Sequence, residues 1–369
     1  QKVDSKTNQP ISGVSFDLYN SNNELIETIT TNALGVGQSS FLVAGSYYLV
    51  EKDGSSLKDY VVKTEHIDFT LQNNQVTDLI VANDHYVNYQ LQKGSSLNEQ
   101  TKLNGAIFTL YDSDGTTVLK ENITSDENGY ITFVQLQPGK TYYYQETKAP
   151  DGYTLNSEKV KFVAPDVNRT DDNYSFDGGK TTNVPQGQFT ITKTQFELDS
   201  SSPTPASRNF AYFPVLTTDV EADSNVAKAN GTYNTLTTNE TTGMATSKKL
   251  DAGKYWVVEL DIGLQWEVDG GNNKQITVEA GRLATSVGNN TNIDFVNKLT
   301  MGKVAIKKVS SIDKNIAVKA TFNVYKKVLD NNHDYQNDQV ITTLTSSSDG
   351  KEVVSEYLQP GDYVLVETS

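Results

Sequence analysis

Four short stretches of the chain end in a carboxylate that shares its parity with buried-looking neighbours. They are "GSYYLVEK" (45–52), "GKTYYYQET" (139–147), "GKYWVVEL" (253–260) and "GDYVLVET" (361–368), carrying Glu51, Glu146, Glu259 and Glu367. In the second, Tyr142, Tyr144 and Glu146 are spaced by two, so a strand sends all three to one face. An unpaired carboxylate inside a core is costly. It needs a partner, and the chain offers one of each complementary kind.

Upstream of each glutamate lies a strand with a lysine: Lys2 in "QKVD", Lys93 in "VNYQLQKGSS", Lys193 in "FTITKTQ" and Lys308 in "VAIKKVSS". Downstream of the first three lies an asparagine: Asn83 in "DLIVAND", Asn183 in "KTTNVP" and Asn297 in "IDFVNK". One lysine on an apolar parity means little, because a long side chain can snorkel from a strand end. Three complete sets in the order Lys, Glu, Asn point to one inherited site.

The chemistry follows from burial. Desolvation lowers an amine's pKa and raises a carboxyl's, by up to ~3–5 units when complete. One proton passed between them leaves both neutral. A neutral ε-amine is a nucleophile. A protonated carboxyl can hydrogen-bond the asparagine carbonyl, making its carbon electrophilic, and can pass its proton to the leaving nitrogen. Attack would expel ammonia and leave a Lys–Asn isopeptide bond, with the sheets supplying the effective concentration. The alternative is a buried ion pair with asparagine as hydrogen-bond partner, which often fails to repay its desolvation.

The elements that position these groups repeat. Before each glutamate strand comes a turn ending in glycine, "TTNALG", "TSDENG", "TTNETTG" or "TSSSDG", and before that a short strand, "GVSFDLY", "GAIFTLY", "YFPVL" or "ATFNVY". Short alternating strands bounded by turn chemistry predict sandwiches. Spacings of 10, 10 and 11 residues from each asparagine to the next lysine imply short linkers. The expected domains are 1–85, 86–186, 187–299 and 300–369. The third is lengthened by "ELDSSSPTPASRN" and "VEADSNVAKANGTYN", read as loops. The fourth stops before any asparagine strand, so Lys308 is expected to stay uncrosslinked.

Composition narrows the rest. The 369 residues carry 46 acidic against 31 basic side chains, a net charge of −15, which argues against nucleic acid or an anionic membrane as partner. No apolar run approaches the ~20 residues of a membrane span, and no signal peptide is present. Without cysteine, neither disulfides nor thiolate metal sites can form. His66, His85 and His333 lack triad or zinc spacing, so no turnover enzyme, cofactor or metal is expected. "DSDG" (112–115) lacks the full calcium-loop pattern and reads as a hairpin turn. "DVNRTDDNYSFDGG" reads as a solvated loop, and the sequons at Asn122 and Asn230 as products of an Asn- and Thr-rich composition.

"YYYQETKAPDGY" (142–153) resembles the E-box of Gram-positive sortase-assembled pilins and of collagen-adhesin B-type repeats. The lysine- and asparagine-bearing strands match that family's isopeptide residues. The second unit carries the full motif; "VEKDGSSLKDY" and "VELDIGLQW" keep the Tyr-x-aliphatic-x-Glu core without Ala-Pro. The resemblance implies an all-β, elongated array of tandem immunoglobulin-like sandwiches, seven-stranded and of reversed topology. It further implies an exported stalk at the cell surface, anchored to the wall through a region beyond this segment, with other pilin or adhesin domains or subunits as partners. Neither an LPxTG-type signal nor a "YPK"-type pilin motif is found, and the segment looks like part of something longer. The rival reading is an adhesin that binds a host matrix protein through the third domain, where Trp256 and Trp266 lie and Trp256 is expected to face outward. A plain spacer without crosslinks is the third.

Overall fold

The computed structural model describes all residues except 167–174, 198–199, 216–231, 264, 285–290 and 328–334. It divides into two compact units, 1–185 and 186–369. Apart from a 3-10 turn at Ser55–Leu57, the regular structure of the described residues is strand. None of it is a helix long and apolar enough to cross a membrane.

In the first unit, the N-terminal module contains β1 (Lys2–Asp4), β2 (Ser15–Asn20), β3 (Leu25–Thr30), β4 (Gly45–Glu51), β5 (Ile67–Leu71) and β6 (Val81–Asn83). β1 and β6 pair in parallel, and the other four form an antiparallel sheet in the order β3-β2-β4-β5. Val14, Phe16, Leu18, Leu49 and Val81 are among its buried core. The second module contains β7 (Val87–Ser95), β8 (Ile107–Tyr111), β9 (Val118–Thr124), β10 (Tyr130–Leu136), β11 (Thr141–Lys148), β12 (Lys159–Val163) and β13 (Ser175–Asn183). Its sheets are β10-β7-β13 and β12-β11-β8-β9, with Phe108, Phe133, Tyr142, Tyr144 and Phe162 in the core.

In the second unit, the third module contains β14 (Thr190–Phe196), β15 (Thr204–Pro205), β16 (Asn209–Pro214), β17 (Asn234–Thr237), β18 (Met244–Thr246), β19 (Gly253–Glu259), β20 (Trp266–Val268), β21 (Asn273–Val278) and β22 (Asn292–Leu299). One sheet runs β15-β14-β22-β20, with β18 also on β14; the other runs β17-β16-β19-β21. The fourth module contains β23 (Ala305–Ile306), β24 (Thr321–Lys327), β25 (Tyr335–Thr345), β26 (Val353–Val354) and β27 (Tyr363–Glu367), ordered β23-β26 and β25-β24-β27.

Among the described residues, a set of seven strands occurs in the second module alone. The first lacks a counterpart of β10, because "VGQSSF" (36–41) has a glycine and two serines where β10 has β-branched and aromatic residues. The third gains short strands β15 and β20 at the edges of its lysine-bearing sheet.

The register explains why each lysine meets its asparagine. Lys2 pairs with Val81, Lys93 with Thr181 and Lys193 with Phe295 across parallel strands. The asparagine always stands two residues further on, at Asn83, Asn183 or Asn297, and a two-residue step keeps it on the lysine's face. The glutamates come from the opposite sheet, where Glu51, Glu146, Glu259 and Glu367 sit across from Phe16, Phe108, Phe210 and Phe322.

Candidate functional site

In each of the first three modules one carboxylate bridges an amine and an amide. Lys2 Nζ lies 2.8 Å from Glu51 Oε1, and Asn83 Nδ2 donates to Oε2 at 2.6 Å. Lys93 Nζ lies 3.0 Å from Glu146 Oε1, and Asn183 Nδ2 donates to Oε2 at 2.6 Å. Lys193 Nζ lies 3.2 Å from Glu259 Oε2, and Asn297 Nδ2 donates to Oε1 at 2.8 Å. The sites are dry: Lys2, Lys93 and Lys193 are 0% exposed, and the six glutamates and asparagines are all buried.

Burial is the largest influence on the amines. It pushes Lys2 and Lys93 below the ordinary lysine range, with Glu51 and Glu146 opposing. Lys193 is pushed down to about 8 by the same desolvation, again against its glutamate and with a further push from Arg208. A depressed amine is closer to its nucleophilic form at neutral pH. The carboxylates are also held by the chain, Glu51 Oε2 by Lys63 N–H at 2.8 Å and Glu146 Oε2 by Asn156 N–H at 3.0 Å. The amide oxygens Asn83 Oδ1, Asn183 Oδ1 and Asn297 Oδ1 are buried without a hydrogen-bond partner. An unsatisfied buried acceptor is expensive, and here it recurs at the carbonyl that an amine would attack.

The turn glycines have a role that their turn chemistry alone did not disclose. Gly35, Gly129 and Gly243 accept a hydrogen bond from the backbone N–H of Lys2, Lys93 and Lys193, each at 2.7 Å. All three have φ near +70°, and an added Cβ would stand 2.5, 2.5 and 2.3 Å from the same lysine's carbonyl oxygen. The lysine backbone is therefore clamped where only glycine fits. The signal was the constant glycine in four turns. Gly350, its counterpart in the fourth module, makes no such approach to Lys308.

The fourth lysine–glutamate pair lies in a different setting. Lys308 Nζ contacts Glu367 Oε2 at 2.5 Å, but both side chains are over a third exposed. This is a solvated ion pair beside Phe322, whose ring centre lies 5.8 Å from the amine.

One expectation about the third module changes. Trp256 does lie on the strand face opposite Glu259, yet it is buried, packed with Phe213 and Val258. Parity names a face but not what covers it, so the outward tryptophan is corrected. Trp266 is half-buried, with Arg208 Cζ 5.7 Å from its ring centre. "DSDG" forms the β8–β9 turn, with Asp114 accepting from the N–H groups of Thr116 and Thr117 and from the Thr117 hydroxyl. The Thr117 hydroxyl contributes most to holding its carboxyl below the usual range. His66 stacks on Tyr48, and His85 Nε2 lies 3.0 Å from Asp4 Oδ2. His333, Asn230 and most of "DVNRTDDNYSFDGG" and "VEADSNVAKANGTYN" lie outside the described residues.

The family described as SpaA, a prealbumin-like fold domain, matches residues 1–85, 88–178 and 302–369. Over 71 residues the chain is 39% identical to the trypsin-resistant surface T6 protein of Streptococcus pyogenes serotype M6, an overlap of 19% of this chain and 13% of that protein. It thus spans a small part of that relative's length. A streptococcal ancillary pilin is 14% identical with TM-score 0.38, over 78% of this chain and 93% of its own. BcpA, the major pilin subunit of Bacillus cereus, is 16% identical with TM-score 0.30, over 77% and 95%. With three of its modules matched by that one domain description, the chain belongs to the SpaA prealbumin-like family, the repeat family of Gram-positive pilins and adhesins.

Proposed function

We propose that this chain is a stalk segment of a Gram-positive surface pilin or adhesin, and that its first three modules lock themselves with Lys2–Asn83, Lys93–Asn183 and Lys193–Asn297 isopeptide bonds. The observation that carries the reading is the thrice-repeated dry carboxylate between an amine and an amide. The pilin and surface-protein relatives support the stalk role and a location outside the cell.

The step balances within each site. The amine passes one proton to the glutamate, and its freed lone pair attacks the asparagine Cγ. A Cγ–Nζ bond forms and the Cγ–Nδ2 bond breaks. The amine loses a second proton as the new bond forms; of the two protons, one completes the departing nitrogen as NH₃ and the other stays on the carboxyl, leaving one secondary amide. In each site Nδ2 already contacts the carboxylate that would protonate it. Glu51, Glu146 and Glu259 act once each, and the protein is no turnover catalyst. No cofactor is required.

Each bond ties the first strand of a module to its last. Tension entering at one and leaving at the other would then bypass the sheet hydrogen bonds. The closed loops run from 81 to 104 residues, which restricts the unfolded chain by roughly 4–5 kcal/mol apiece. That is large beside an ordinary domain stability of ~5–15 kcal/mol. Resistance to trypsin, the property in the streptococcal relative's name, is expected here also. Digestion of the denatured protein followed by fragment-ion mass spectrometry tests the reading: it should yield three branched peptides joining the named lysines and asparagines. Linear peptides alone would refute it.

A further inference from the structure

Arg208 sets the third site apart. In all four modules one backbone N–H, just before the second long strand, donates to a buried hydroxyl: Val14 to Thr31 at 3.0 Å, Ala106 to Ser125 at 3.0 Å, Arg208 to Thr238 at 2.9 Å and Ala320 to Ser346 at 2.8 Å. The backbone role is shared, so the four residues are structural equivalents. Three carry small apolar side chains. The third module carries a guanidinium.

That guanidinium reaches the reacting carboxylate. Arg208 Nε lies 3.9 Å from Glu259 Oε1, the oxygen that accepts from Asn297 Nδ2, while Lys193 lies on Oε2. The rest of the group is anchored away from the site: Nη2 donates to Gln195 Oε1 at 3.0 Å, Nη1 donates to Ser207 O at 2.9 Å, and Cζ lies 5.7 Å from the Trp266 ring centre. Nε itself is buried with no hydrogen-bond partner. Its field therefore falls on Glu259. No arginine occupies this place in the other modules, and in the first two the carboxylate oxygen nearest the amide accepts a backbone N–H instead.

We propose that Arg208 is a positioning residue that delays isopeptide formation in the third module by opposing transfer of the lysine proton onto Glu259. This rests on the crosslinking reading above. A fixed cation beside a carboxylate favours its charged form, and a cation beside an amine favours loss of the amine's proton. A proton given up by Lys193 is then taken less readily by Glu259. Lys193 is left nucleophilic, but the acid that must protonate the leaving nitrogen is scarce. The third module closes after the first two.

The test uses the full chain made by cell-free translation and sampled over time, with the branched peptide of each module quantified after denaturing digestion. The first two modules serve as internal clocks. In the wild-type chain, the Lys193–Asn297 peptide should accumulate about tenfold more slowly or worse, the effect expected of one opposite charge at this range. Arg208→Ala, the residue type of Ala106 and Ala320, and Arg208→Met, which keeps the stem without the charge, should bring it level with the other two. Arg208→Lys should preserve the lag. A structural arginine would give the opposite sign, since its loss would slow closure. Equal rates in all three wild-type modules, or no acceleration in the neutral variants, would overturn the proposal. Absence of branched peptides from every module would overturn the crosslinking reading, and this proposal with it.

Discussion

Replacing Glu146 with glutamine removes the acid of the second site while nearly keeping its shape. The change is sharp because the side chain is buried between Lys93 at 3.0 Å and Asn183 at 2.6 Å. An amide can neither accept the lysine's proton nor pass one to the leaving nitrogen, so the Lys93–Asn183 bond should not form. The 90-residue loop between them is then open, and the unfolded state regains roughly 4–5 kcal/mol of chain freedom. At about 4–8 °C per kcal/mol for a domain of this size, the module's melting temperature should fall by about 16–40 °C. The unlinked lysine also stays as a buried amine that has lost its counter-charge, which adds to the loss. Calorimetry should resolve this module melting below its neighbours, and the intact mass should show one ammonia restored after allowing for the substitution. Continued absence of that ammonia would refute the acid role of Glu146. Its return without a thermal shift would refute the tether as a source of stability.

Gly129→Ala places a Cβ 2.5 Å from Lys93 O at a φ of +78°, so it should cost at least about 1–2 kcal/mol and reduce branching in the second module; unchanged denaturant midpoint and branching would contradict the clamp. Asn297→Ala leaves Lys193 as a free amine whose pKa burial pushes down to about 8, against 10.5 ordinarily. The unfolded chain then binds more protons between these values, so stability should rise with pH across that window, by about 3 kcal/mol at most, and stay flat in this contribution below it. Denaturation series at either end of the window check the sign, and a fall with pH would contradict a desolvated amine. Trp256→Ala empties a buried site beside Phe213 and Val258 and should cost about 3–5 kcal/mol in chemical denaturation; a neutral effect would mean that its packing carries no weight.

The residues of the three sites were legible because two periodicities coincide. Strand parity puts Lys93 with Leu91 and Glu146 with Tyr144, and the repeat turns one such coincidence into three. The constant two-residue offset between each lysine's partner and its asparagine was not legible, since register between distant parallel strands depends on the whole sandwich. Trp256 shows the limit of parity: β16 supplies Phe213 to cover the outer face of β19, and no pattern within β19 announces it. Arg208 was hidden for another reason. Its equivalence to Val14, Ala106 and Ala320 rests on a backbone hydrogen bond to a hydroxyl some thirty residues away or nearer, and side-chain type gave no hint that the four belong together. Strand number varied through edge strands such as β15 and β20, whose two and three residues are too few to carry a periodic pattern.

The central claim concerns covalent bonds, and intact mass measures them directly. The purified wild-type chain should weigh three ammonias less than its sequence, with one restored by each of Lys2→Ala, Lys93→Ala and Lys193→Ala once the substitution itself is subtracted. A wild-type mass equal to that of the unmodified sequence would contradict the account and reduce the three buried sites to ion pairs.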